Sequence, residues 1–557
     1  MEKVWLKNYE KGVPETINPD EYSSLADFAQ ECFTKYAEKA CYTNMGTELT
    51  YRQIDELSQA FAHFLKNTCR LEKGDRVAIV LPNILQYPVA LFGIHKAGLV
   101  AVNVNPLYTP RELKHILKDS GAKCVIILAN FAHVLEQVLP ETIVQHIVVT
   151  ELGDLLGGFK GHLVNFAVKY IKKMVPAWHI PDAHPFKKTI AYKPTDFKAA
   201  ELKGDDIAFL QYTGGTTGVI KGAILTHRNM VANVLQAYAW VAPVFDAQME
   251  GGVITALPLY HIFSLTANCL VFLRIGIPNI LITNPRDIPG FVKELKRQPF
   301  AVMTGVNTLF NALLHNDDFC NLDFSKFRFT LGGGMAVQSA VAKKWHEVTG
   351  IPLIEAYGLT ETSPAVTINP TQLTEYNGSI GLPVPSTEIK ICAEDGKELS
   401  FDEAGELCVR GPQVMRGYWN QPRMTAEVLS EDGWLRTGDV ATVDHQGFVR
   451  IVDRKKDIII VSGFNVYPNE VEDVIAGLKG VREVAVIGVK SEAHGEIVKA
   501  YIVRKDPSLT ADEIIAYCHK ELTGYKVPKE IEFRTELPKS NVGKVLRRKL
   551  REEDEHH

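Results

Sequence analysis

VAIVLPNILQYPVALFGIHKAGLVAVNVNP, residues 77–106, decides the fold class. VAIVLP (77–82) is an apolar run with the length of a buried strand. PVALFGIHKAG (88–98) has helix-forming apolar residues and stops at Gly98. LVAVNVNP (99–106) is strand-like again. Strands that are apolar throughout are covered on both faces, and strand–helix–strand alternation builds a parallel sheet between helices. Working outward, Thr50 is placed to cap a helix carrying Leu57, Phe61, Phe64 and Leu65. On the other side, RELKHILKDSG (111–121) is a helix ended by Gly121, and KCVIIL (123–128) is a strand. The rhythm returns in IPNILITN (277–284), FVKELKRQ (291–298), FAVMTGV (300–306) and TLFNALL (308–314).

After about residue 375 short strands between Gly and Pro residues take over, as in SIGLPVPSTEIKICAEDG and GELCVRGPQVMRGYW. That texture predicts a small antiparallel barrel or sheet. DRKKD (453–457) is a charged run, and beyond it strands and helices alternate in an α+β pattern. The expected organisation is α/β: a large N-terminal domain over 1–453 with parallel α/β subdomains and a small barrel-like one, a boundary at the charged run 454–457, and a separate α+β domain over 458–557.

The 557 residues exceed one ordinary core, so two or more domains are expected. The formal net charge of -5 excludes an obligate basic nucleic-acid binder. Nine cysteines, none in a CxxC pair, read as reduced thiols rather than a disulfide or zinc framework. The start, MEKVWLKNYEKGVPE, has no apolar core of a signal peptide, and no apolar run reaches membrane-spanning length. These features predict a cytoplasmic protein.

LVNFAVKYIKKMV (163–175) stands apart. On a helical projection Asn165, Lys169, Lys172 and Lys173 share a stripe, while Leu163, Phe166, Tyr170, Ile171 and Met174 cover the rest, and Pro176 stops the helix. Such a helix either lies on an anionic membrane surface or docks its apolar side in the core with the lysines solvated.

The strongest chemical signal is Tyr212-Thr213-Gly214-Gly215-Thr216-Thr217-Gly218-Val219-Ile220-Lys221, after the apolar run IAFLQY. Glycines let backbone N–H groups turn toward one anion, threonine hydroxyls add donors, and Lys221 adds charge. The spacing is not that of a Walker A loop.

This loop resembles the phosphate loop of the acyl-adenylate-forming enzymes. Further motifs follow in order: Pro258-Leu259-Tyr260-His261, Tyr357-Gly358-Leu359-Thr360-Glu361, Trp434-Leu435-Arg436-Thr437-Gly438-Asp439, Asp453-Arg454-Lys455-Lys456-Asp457 and Pro538-Lys539-Ser540-Asn541-Val542-Gly543-Lys544. Within that superfamily NVNPLYTPREL and VSGFNVYPNEVEDV resemble the bacterial long-chain fatty acid–CoA ligases. Ala356 departs from the usual glycine before the adenine-stacking Tyr357.

The resemblance implies ATP, Mg2+ and coenzyme A, and a long-chain fatty acid as substrate. It implies nucleotide contacts from Tyr212 to Gly218, Lys221, Gly334, Tyr357, Gly358, Thr360, Asp439 and Arg454, and metal binding by Glu361. His261, Thr213, Glu361 and Lys544 take the reacting site. The resemblance also implies a hinge at 454–457 with Lys456 as its pivot, a mobile C-terminal domain over 458–557, and a Gly463 that leaves room for the pantetheine arm. Residue chemistry agrees: Glu361 offers a hard oxygen, Asp439 a bidentate acceptor for ribose hydroxyls, and Arg454 a permanent charge. Acyl length is expected to depend on a tunnel near Met230–Trp240 and Gly305–Leu314. No nucleic-acid partner is expected, peripheral contact with the inner membrane is, and a homodimer is left open.

Overall fold

A computed structural model describes residues 1–192, 197–214, 220–245, 249–491 and 495–555. The opening stretch forms the strands Arg76–Val80 and Val100–Asn103 around the helix Gln86–Lys96. All eleven residues of that helix are buried, which is why most of its sequence is apolar and only Gln86, His95 and Lys96 are strongly polar. The one cation among them, Lys96, is paired with Asp55 and donates to Ser58 Oγ at 2.9 Å. Thr50 caps the helix Tyr51–His63, accepting from Gln53 N while the Gln53 side chain returns to the Thr50 N–H.

The first sheet has parallel strands at its centre. Arg76–Val80 pairs with Val100–Asn103 on one side and Cys124–Leu128 on the other, and His146–Thr150 follows. Ile207–Gly214 lies parallel to Val100–Asn103, then turns back antiparallel as Ile220–Thr226. Two residues, Gly417–Tyr418, close that edge.

The second sheet carries Phe300–Gly305, Phe329–Gly332 and Leu353–Gly358 in parallel beside Gly252–Thr255. Ala40–Asn44 joins its far edge through Asn279–Leu281, so an N-terminal strand pairs with one more than two hundred residues away. One apolar cluster, from Trp5 to Val449, welds both sheets together.

The expected antiparallel region is a four-stranded sheet: Glu388–Cys392, Gly405–Arg410, Leu435–Val443 and Val449–Arg454. From Ile459 onward the chain builds a separate sheet around the long hairpin Val481–Ser491 and Gly495–Arg504, with Glu530–Arg534 added in parallel. Its helices Pro468–Ala476 and Ala511–Glu521 cover one small core of its own, and the helix Arg547–Asp554 covers a second with Leu550. Eight of the nine cysteines are buried and Cys320 is half-buried. Among the described residues no helix is long and apolar enough to cross a membrane.

The helix anticipated at 163–175 begins earlier, at Gly158, and continues through a wider turn at Ala167–Ile171. The reading in which its apolar side enters the core is overturned. Leu163, Phe166, Tyr170, Ile171 and Met174 are all exposed, because the helix docks through Gly161 and Val168 instead.

Candidate active site

The ends of the two large sheets, the four-stranded sheet and the C-terminal region meet at one place. Tyr357 leaves the end of Leu353–Gly358, and its hydroxyl donates to Asp439 Oδ2 at 2.5 Å. Asp439 is buried on Leu435–Val443, directly across the antiparallel ladder from Arg454, whose Nε lies 3.3 Å from Asp439 Oδ1. One carboxylate thus holds a phenol and a guanidinium. Burial, then the Asp439 charge, raises the Tyr357 phenol well above its usual range, so it remains a donor. Gly358 sits where the chain bends against the next strand; a Cβ there would fall 2.0 Å from the Pro364 carbonyl oxygen. Ala356, the departure from the family pattern, is half-buried against the main core.

Lys544 reaches the same place from the C-terminal loop. Its backbone is fixed by a small turn: Lys544 N donates to Ser540 Oγ at 3.1 Å, and Ser540 N donates to the Lys544 carbonyl at 2.7 Å. Burial pushes the ammonium down to about 7, Arg454 adds to that, and Asp439 opposes it. The same lysine acts on His261, whose imidazole is pushed down to about 4, chiefly by burial. His261 caps the short helix Ile262–Ser264, with Nδ1 accepting from Phe263 N at 3.4 Å. The neutral imidazole therefore adds no second positive charge beside Lys544.

Glu361 lies in the turn Thr360–Thr362, four residues past Tyr357. Its Oε1 accepts the Tyr418 hydroxyl at 2.7 Å. The Tyr418 ring lies under Lys221 Nζ, 4.6 Å from the ring centroid. The candidate phosphate-loop lysine and the candidate metal carboxylate are thereby joined through one aromatic ring. Lys221 faces Thr213 across the hairpin, and Gly214 faces Ile220. Gly215, Thr216, Thr217 and Gly218 lie outside the described residues. Tyr212 precedes the loop with its hydroxyl on Asp119 Oδ2 at 2.6 Å. A cleft of about 520 Å³, lined by Arg111, Lys114, His115, Lys118, Asp119 and Asn420, opens beside this hairpin.

Gly334 is exposed in the left-handed region, φ +77°, with Val306 3.7 Å from where a Cβ would lie. Gly463 is also exposed, at φ +85°, in the turn between Ile459–Val461 and Phe464–Val466, with nothing within 4 Å of a Cβ position. Lys456 is pushed below its ordinary range by burial. Its neighbour Asp457 accepts from Arg551 at 2.8 Å, and Arg547 reaches both Asp453 and Asp457, at 3.6 and 3.5 Å. Met230 and Trp240, at the expected tunnel, are buried on the helix His227–Val241, and Trp240 Nε1 donates to the Asn369 carbonyl at 3.0 Å.

Sequence reasoning passed over Tyr418, Asp119, Arg547 and the seam residues Thr308 and Ser339. Thr308 Oγ1 donates to the Gly543 carbonyl at 2.9 Å, and Arg286 donates to Asn541 Oδ1 at 2.9 Å, so the lysine loop is held from the large domain. None of these residues has a local signal; each acquires its role from a partner distant in the chain.

Residues 29–419 match the AMP-binding enzyme family, and residues 470–544 match the AMP-binding enzyme C-terminal domain. A long-chain-fatty-acid–CoA ligase of Salmonella typhimurium is 57% identical over 99% of this chain and 98% of its own. Among solved structures, the anthranilate CoA ligase AuaEII in complex with anthranoyl-AMP superposes with a TM-score of 0.85 at 26% identity, over 96% of this chain and 99% of that one. ATP-bound MatB from Rhodopseudomonas palustris gives 0.81 at 27% identity, over 95% and 98%. With the motifs gathered at one junction of sheets and the match running almost end to end, the chain belongs to the AMP-binding enzyme family, among its long-chain fatty acid–CoA ligases.

Proposed function

We propose that the protein joins long-chain fatty acids to coenzyme A at the expense of ATP, through an acyl-AMP intermediate, releasing AMP and diphosphate. The observation that carries this reading is that Lys544, from beyond the 454–457 segment, comes within electrostatic reach of Asp439 and His261 from before it and of Arg454 at its start. A fatty carboxylate is ionised at neutral pH and needs no general base to attack the α-phosphate. Catalysis is then positioning and charge stabilisation. Tyr357 and Gly358 form the adenine wall, Asp439 takes the ribose hydroxyls, and Arg454 steadies Asp439. Thr213, Lys221 and the glycine–threonine loop hold the phosphates. Lys544 meets the negative charge developing at the α-phosphate, and an arriving polyphosphate favours its charged form.

Glu361 is the residue to hold Mg2+. Among the described residues no three His, Cys, Asp or Glu side chains cluster as a metal cage, so the donor set suits an ion shared with phosphate oxygens and water. When bound, the ion supplies charge neutralisation on the phosphates. Tyr418 orients the Glu361 carboxylate.

In the second half-reaction the thiol of coenzyme A attacks the acyl carbonyl and AMP departs. Residues 1–453 act as the adenylation domain and 458–557 as the mobile one, turning about Lys456 so that Lys544 withdraws and Gly463 comes in. The protein works in the cytoplasm and at the membrane surface, where its substrate resides.

The test is thioester formation across acids of increasing length, together with fatty-acid-dependent ATP–diphosphate exchange. Exchange and thioester should both peak with long chains. Exchange without any thioester would reassign the protein to acyl-AMP formation alone.

A further inference from the structure

We infer that residues 158–174 are a docking surface for an anionic lipid bilayer. The helix is mounted inside out. Its inward face is narrow: Gly161, Asn165 and Val168, spaced four and three apart on one side. A Cβ at Gly161 would lie 2.3 Å from the Gly153 carbonyl oxygen, so only glycine admits this approach. Asn165 Oδ1 accepts Gly153 N at 2.6 Å, and its Nδ2 donates to Asp154 Oδ1 at 3.4 Å. The outward face is Phe159, Leu163, Phe166 and Tyr170, spaced four, three and four apart, with Ile171 and Met174 continuing it. Phe159 is 82% exposed, Ile171 68%, and the other four more than half.

Eleven large hydrophobic side chains are exposed among the described residues, and six of them fall in this one segment. Single exposed apolar residues are ordinary; a contiguous patch on a rigidly mounted helix marks a contact surface. Its charge selects the partner. Lys169, Lys172 and Lys173 are exposed along the patch, and GFKGHLVNFAVKYIKKMVP contains no acidic residue. Aromatic and aliphatic side chains fringed by lysines match the acyl–headgroup boundary of an anionic leaflet.

The surface draws its purpose from the proposed function, since a long-chain acid partitions into bilayers, but its binding is measured apart from catalysis. The full chain is floated with vesicles of phosphatidylethanolamine and phosphatidylglycerol, and with vesicles of phosphatidylcholine alone. Wild type should rise with the anionic vesicles. Leu163→Asn with Phe166→Asn should lower its partitioning at least about tenfold, because exposed apolar area is what inserts. Lys169→Gln, Lys172→Gln and Lys173→Gln together should lower it several-fold at low salt and little at high salt. Both variants should make thioester from a short, water-soluble acid as wild type does, which shows that they fold. Equal flotation of wild type and the apolar variant overturns the inference. So does a dimer that the apolar variant dissolves, which would give the face to a second copy. A protein that makes acyl-CoA but ignores vesicles refutes the docking surface alone; one that floats but makes no thioester refutes the ligase reading alone.

Discussion

Ser339 gives both its backbone N–H, at 2.9 Å, and its hydroxyl, at 3.0 Å, to Asp473 Oδ1 across the seam between the large domain and the C-terminal region. With Thr308 on the Gly543 carbonyl, this contact favours the arrangement in which Lys544 is within electrostatic reach of Asp439. Hydrogen bonds to a charged group contribute about 1.5–3 kcal/mol, a factor of roughly ten to a hundred in an orientation equilibrium. Asp473→Ala should therefore slow acyl-AMP formation while supplied acyl-AMP is still converted to thioester. Rapid-quench measurement of the two half-reactions checks this; equal slowing of both removes the seam from the account.

Tyr418→Phe should raise the magnesium concentration needed for ATP–diphosphate exchange roughly tenfold. The ring would still lie under Lys221, while Glu361 would lose the donor that aims it. The deleted hydrogen bond goes to a carboxylate, and the lower end of such bonds, about 1.5 kcal/mol, is roughly tenfold. A magnesium titration identical to wild type would leave Tyr418 as packing only.

What the sequence reveals here divides by physical distance. Thr50 and Gly121 act through neighbours a few residues away, and the strand at 77–82 is marked by its own apolar run although its partners lie further along the chain, so local sequence places them. Lys221, Glu361 and Asp439 are readable as chemistry because each is embedded in a local motif. Tyr418 is not readable, since it sits on a two-residue strand and its work is done on Glu361 and Lys221. The helix at 158–171 is the sharpest case. Periodicity reports two faces but does not say which is inward; that was decided by Gly153, Gly161 and Asn165, whose close fit replaces apolar burial.

Acid should destabilise the fold through His227. This imidazole is fully buried, accepts Leu25 N at 3.2 Å, and is pushed down to about 4, chiefly by burial. Its neutral form belongs to the folded state, so its contribution is complete above the unfolded value near 6.5 and is lost as pH falls from there toward about 4. The loss amounts to roughly 3 kcal/mol at the acid end. Denaturant unfolding followed across that range should show it, and His227→Gln should flatten the dependence. An unchanged slope in that variant assigns acid sensitivity elsewhere.

Glu355 should act in the opposite direction. Burial raises its carboxyl to about 8, the Val337 N–H at 3.2 Å partly offsets this, and Asp473 adds to the rise. A raised carboxyl contributes fully below its unfolded value and loses that contribution as pH climbs through about 8. Glu355→Gln keeps the acceptor for Val337 and removes the charge. It should leave stability in mild acid little changed and increase it above neutral pH. A variant that is less stable at alkaline pH would show that the carboxylate is stabilising.

The two half-reactions should separate by residue. In the proposed mechanism Lys544 acts in its charged form where negative oxygen develops, and burial pushes its ammonium down to about 7 in the substrate-free protein. The kcat/KM for ATP in acyl-AMP formation should therefore fall as pH rises through that value, and Lys544→Ala should abolish that half-reaction while converting supplied acyl-AMP and coenzyme A normally. Gly463 should show the reverse, with one structural control. It follows Ser462 in a turn where both residues have positive φ, +49° and +85°, so Gly463→Ile combines a large side chain with backbone strain. Gly463→Asn tolerates the left-handed conformation yet still carries a side chain, and isolates obstruction from strain. Both should release diphosphate in a first turnover and then form thioester poorly, Ile more so. Lys456→Pro, which fixes φ near about -65°, should behave like them if the pivot lies there. Opposite patterns from Lys544 and Gly463 variants cannot arise from general misfolding. Loss of the same half-reaction in all of them would overturn the two-orientation mechanism for this chain.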